Sequence, residues 1–200
     1  MDRILKVLFG AAIGVTPILL FGLLFVGFWH YTDPTGSSIL VYLIAGIVAG
    51  LAVDGILLQK YSKRIYEMPI WILIVAYLLL NIGVFGLFMG FPVFNLFCGL
   101  LAGIYYGKRI ALKKIYTSIR SKSIRQLSWL TTSFMLLICC SSAIIAMSDP
   151  YIRGNVKGVM GLDAEPSQAM IWALILVGGS CLVVTQYFVT RLSAAKMVKL

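Results

Sequence analysis

Asp54 stands near the end of the apolar run AGIVAGLAVDG and is the one acidic residue placed inside such a run. A carboxylate at the centre of a bilayer costs about 2.5–3.5 kcal/mol, so one that is kept there has a partner or a task. Two chemistries fit. In one, Asp54 forms an ion pair with Lys60, Lys108 or Arg109 and fastens two helices. In the other it holds a proton or a cation at the inner mouth of a pathway. Asp54 comes only five residues before Gln59 and six before Lys60, which sets it near a membrane boundary and favours the ion pair.

Three further polar residues fall in apolar runs: Asn81 in mid-run, Asn95 just after GFPVF, and Ser141 within CCSS. An amide in hydrocarbon commonly bonds to a neighbouring helix for about 0.6 kcal/mol, up to about 1–2 in peptides. Short helices that start beside Gly and Pro also mark solute sites in transporters. Asn81, Asn95 and Ser141 are therefore the candidates for lining a ligand pocket. Smaller signals are the TTS cluster at 131–133, Gly178-Gly179-Ser180, and Gln186, which falls at a depth similar to Asp54.

Other chemistries lack their residues. His30, the single histidine, stands between Trp29 and Tyr31 and reads as part of an aromatic anchor. Cys98, Cys139, Cys140 and Cys181 form no CxxC and no metal-ligand spacing. A lone intramembrane carboxylate does not make a paired acid/base site, and no serine nucleophile faces a histidine inside the runs. The expectation is a protein that is not an enzyme and has no metal and no cofactor.

The elements that must position these residues are membrane helices. Sixty per cent of the 200 residues are apolar and 12% are charged, with a mean hydropathy of +0.97. A soluble domain carries about 25% charged residues. Six spans are predicted, at 7–29, 38–58, 69–89, 92–106, 127–147 and 168–190, with Thr16-Pro17 kinking the first. The expected fold is an all-α polytopic membrane protein, one compact bundle forming a single domain over 1–200.

Six spans put the two termini and the segments 59–68 and 107–126 on one side. Fifteen of the 17 basic residues fall there; only Arg153 and Lys157 fall on the other side. By the positive-inside rule, both termini are cytoplasmic and the chain is a multi-pass protein of the cell membrane. The net charge of +10 is then read as facing anionic lipid headgroups, not nucleic acid. Within 107–126, Leu112, Ile115, Tyr116 and Ile119 recur at helical spacing among lysines and arginines. This predicts an amphipathic cytoplasmic helix over about 108–125, lying on the membrane or docking a partner. The connection at 148–167, with Gly154, Gly158 and Gly161, is expected to be a lid or a slack loop.

Gly46 and Gly50 in AGIVAG are echoed by Gly99 and Gly103 in CGLLAG. Continuing each spacing by four reaches Asp54 in one case and Gly107 in the other. Glycines four apart let helix backbones approach closely, so both stripes are predicted to face neighbouring helices. In size and span count the chain resembles the substrate-binding subunits of energy-coupling-factor vitamin transporters, which carry small-residue stripes on their first helices for docking. That resemblance implies such a role for Gly10 and Gly14. The leading expectation is a small-solute transport protein or the membrane-embedded substrate-binding subunit of a transport complex. The alternative is a non-catalytic accessory or scaffold subunit that holds other membrane subunits.

Overall fold

The computed structural model describes residues 2–32, 39–61, 65–87, 92–113, 117–148, 151–161 and 163–199. The protein is all-α. Its helices are α1 (Asp2–Thr32), α2 (Ile39–Tyr61), α3 (Ile70–Leu87), α4 (Asn95–Leu112), α5 (Thr117–Ser148), α6 (Ile152–Met160), α7 (Gln168–Ala173) and α8 (Gly179–Lys199). A π-turn, Leu174–Gly178, joins α7 to α8, so that one helical rod runs from Gln168 to Lys199. Hydrocarbon offers no partner for a free backbone N–H or C=O, so a segment that crosses a bilayer closes these bonds within itself. Four helices are long and apolar enough to cross: Phe9–Thr32, Ile39–Ile56, Ile119–Ser148 and Gln168–Lys199. Ile70–Gly86 is a shorter apolar helix.

Contacts divide the chain into two compact units, Met1–Gly83 and Val84–Leu200. The first is built on α1 and α2, which pack antiparallel. Leu19 of α1 also meets Gly83 of α3, and Phe9 meets Tyr66 edge-on at 6.4 Å. The second unit is built on α4, α5 and α8. Ile110, Ile124 and Ala194, one residue from each helix, form a small apolar core, with Tyr106 and Val198 packed against it.

Two elements differ from expectation. The residues of the predicted surface helix 108–125 are shared between the end of α4 and the start of α5, and 114–116 lie outside the described residues. The physical reason is that 117–127 holds neither Gly nor Pro. Its amphipathic turns therefore run on in phase into the membrane helix. The 32 residues of α5 span about 48 Å, well beyond the roughly 30 Å of a bilayer core. The connection at 148–167 is not plain loop either. Ile152–Met160 is helical despite Gly154 and Gly158, ends at Gly161 with φ +63°, and buries Val156. Only a residue without a Cβ takes that left-handed stop without strain. Residues 149, 150 and 162 of this connection lie outside the described residues.

Candidate functional site

In the first unit the α1–α2 contact has a regular register: Gly14 faces Asp54, Ile18 faces Gly50, and Gly22 faces Gly46. A Cβ on Gly50 would stand 2.5 Å from Ile18 Cα and 2.9 Å from the Pro17 carbonyl oxygen. One on Gly46 would stand 2.7 Å from the Phe21 carbonyl oxygen. Backbone therefore rests on backbone, and a methyl group has no room. Pro17 has no N–H to give the carbonyl of residue 13, so α1 bears its helix irregularity where α2 presses closest.

Asp54 continues this stripe. Its carboxylate oxygens lie 3.1 Å from where a Cβ on Gly14 would stand, so the missing side chain at Gly14 makes the space that the carboxylate occupies. Asp54 Oδ1 is buried and has no hydrogen-bond partner among the described residues. Asp54 belongs to the first unit and Lys108 and Arg109 to the second, so the expected ion pair is a feature of neither unit. The side chain of Lys60 lies outside the described residues. Gly10, the other residue of the supposed docking stripe, has open space around it.

In the second unit Gly99, Gly103 and Gly107 all face α8. Gly99 lies against the Gln186 amide, Gly103 against Ser193 and the Thr190 carbonyl, and Gly107 against Ala194 and Met197. Contact positions rise together along both helices, so α4 and α8 are parallel. Along α5 and α8 they run in opposite senses, from Arg120 with Val198 to Thr131 with Thr190, so that pair is antiparallel.

The centre of this bundle is polar. Ser128, Thr131, Gln186, Thr190 and Asn95 have no exposed surface. The Thr190 hydroxyl donates to the Gly99 carbonyl at 3.3 Å and accepts from Gln186 Nε2 at 3.5 Å and from Thr131 Oγ1 at 3.0 Å. A hydroxyl has one proton and two lone pairs. Gly99, Gln186 and Thr131 thus surround it from three helices, and the Thr131 hydroxyl divides its one proton between Thr190 and the Ser128 carbonyl at 3.1 Å. Ser128 and Thr132 bond back to their own helix, to the carbonyls of Ile124 (2.9 Å) and Ser128 (2.7 Å).

The pocket candidates are divided between the two units. Asn81 belongs to the first unit and donates to the Tyr77 carbonyl of its own helix at 2.8 Å. Ser141 is exposed and donates to the Leu137 carbonyl at 2.9 Å, again within its helix. Asn95 is wholly buried as the first residue of α4, after a tight turn over Pro92–Phe94. Lys108 is half-buried, and Arg109 is 7% exposed, with Nη1 lacking a hydrogen-bond partner among the described residues. Gln186 was visible in the sequence only as a residue at a certain depth, and Thr190 and Ser128 carried no signal of their own. Their spacing held one. Gln186, Thr190, Ala194 and Met197 recur at i, i+4, i+8 and i+11, which is a single face of a helix.

Among the described residues, no group of three or more His, Cys, Asp or Glu side chains is placed to hold a metal ion. No protein-family model, curated protein or solved structure significantly matches this chain.

Proposed function

We propose that the protein is a non-catalytic accessory subunit of a membrane complex, crossing the bilayer six times with both termini in the cytoplasm. The observation that carries this reading is the buried Thr190 hydroxyl, which bonds to Gly99, Gln186 and Thr131 on three helices. A buried hydroxyl bonded to several helices fixes how they pack and is spoken for by its own neighbours. Asn81 and Ser141 likewise bond to their own helices. The topology draws support from helix direction. The end of α5 bearing Arg120, Lys122 and Arg125 meets the end of α8 bearing Lys196 and Lys199. Because α4 runs parallel to α8, Lys108 and Arg109 belong to that same end. A bundle with its cations at one end keeps that end in the cytoplasm.

A second reading, the solute-binding subunit of a transport complex, is favoured by one feature. The π-turn Leu174–Gly178 interrupts the helix about 12 Å before Gln186, and such bulges occur often at functional sites.

Purification from native membranes, with mass spectrometry of bound proteins and small molecules, separates the two. The accessory reading expects another membrane protein held in fixed ratio through successive columns, and no small molecule. A small molecule in fixed ratio, lost on Thr190→Val, would replace it with the transport reading.

A further inference from the structure

Where the start of α5 meets the end of α8, four cations, Arg120, Arg125, Arg191 and Lys199, line one cleft of about 430 Å³. Ser121 adds a hydroxyl to its lining, and Ala195, whose side chain is a single methyl, keeps it open. Residues 84–200 contain three acids, Asp149, Asp163 and Glu165, and in sequence all lie beyond the opposite end of α5. Among the described residues no carboxylate pairs with any of the four cations.

Part of this charge has a structural use. Arg120 Nη2 donates to the Val198 carbonyl at 2.8 Å, capping the end of α8 and holding its guanidinium in place. The attraction of a helix C-terminus fades within the last turn. Arg191 stands eight residues before Lys199, about 12 Å up the helix, so this attraction does not account for it.

The depth of the cleft is marked by aromatic rings. The Arg191 guanidinium lies 5.9 Å from the centroid of Tyr187, whose ring is 5.5 Å from that of Trp129. Trp and Tyr collect at the headgroup level of a bilayer. The face of α8 that carries Ala195 and Lys199 continues upward as Leu192, Phe188 and Val184, each apolar and exposed. Cations below and an apolar stripe above match the two parts of a phospholipid.

We propose that this cleft binds the phosphate of an anionic phospholipid, with the acyl chains lying along the stripe Leu192, Phe188 and Val184. Arginine forks hold phosphate oxygens in pairs, and basic pockets between helices on the cytoplasmic side suit anionic headgroups. Free phosphate shares the headgroup chemistry but gains nothing from the apolar stripe.

The test uses the full chain in neutral detergent, with native mass spectrometry and three probes: dioctanoyl phosphatidylglycerol, dioctanoyl phosphatidylcholine and inorganic phosphate. Phosphatidylglycerol is expected to saturate at one molecule per chain, with the zwitterionic lipid far weaker. Arg125→Gln and Arg191→Gln should each weaken binding about tenfold. Ala195→Phe should abolish it without changing any charge, and Arg153→Gln, in α6, should leave it unaltered. Both glutamine variants alter exposed side chains, so they keep the test valid if Ala195→Phe fails to fold. Unsaturable binding, full binding by a folded Ala195→Phe, or an equal loss in Arg153→Gln would overturn the site. Displacement of the lipid by inorganic phosphate at equal affinity would overturn the lipid and assign the cleft to a soluble anion.

Discussion

Two helix pairs in this protein solve one problem with the same residue and opposite geometry. In α1–α2 the glycines of α2 press on the backbone of α1, the helices are antiparallel, and the stripe ends in Asp54 against Gly14. In α4–α8 the glycines of α4 receive α8, the helices are parallel, and the contact carries a hydrogen-bonded polar centre. Van der Waals packing alone specifies depth of contact but tolerates a slide of one turn. A polar centre does not, because sliding it would strand buried donors. The two helices of the hairpin follow one another in sequence with only residues 33–38 between them. The parallel pair has no such tether and has Thr190 in its place.

This contrast can be broken most forcefully at its closest contacts. Gly50→Val and Gly107→Val should each destabilise the purified protein by about 2–3 kcal/mol in SDS titrations, since the added groups meet backbone atoms. Gly10→Ala, in open space, should instead stabilise by about 0.5–1 kcal/mol through helix propensity. If Gly50 and Gly10 variants behave alike, close approach is not what holds the hairpin.

Next in size is the polar centre. Thr190→Val should cost about 0.6–1.7 kcal/mol and Thr190→Ser much less, measured by the same titration. A loss from Thr190→Ser with none from Thr190→Val would show that the methyl group matters and the hydroxyl does not.

The smallest effect is expected at Asp54. Asp54→Asn keeps the shape beside Gly14 and should change stability by less than about 0.5 kcal/mol. A larger loss would reveal a cationic partner outside the α1–α2 hairpin.

The positions of the glycine contacts were legible from spacing alone, because residues four apart share a helix face whatever lies opposite. Their partners were not. Nothing in CGLLAG says that it meets Gln186 and Ser193, since that pairing joins residues far apart in the chain. Nor does AGIVAG say that its own stripe meets α1 while that of CGLLAG meets α8. The helix α6 was read as loop because glycines dominate local propensity, although Ile152, Val156 and Met160 recur at helical spacing. The start of α5 was read as a separate surface helix because its charges mark an interface. Charge on a helix that overshoots the bilayer looks the same as charge on one that lies upon it.

The parallel course of α4 and α8 also bears on how the protein is made. The α1 face is covered as soon as α2 enters the membrane. The stripe Gly99, Gly103 and Gly107 must wait until Gln186 to Met197 have been synthesised, with α5, α6 and α7 in between. At about 5–20 residues per second that wait is on the order of ten seconds. During it α4 is a nascent helix with a bare groove toward lipid, open to any other small-faced helix leaving the same translocation site.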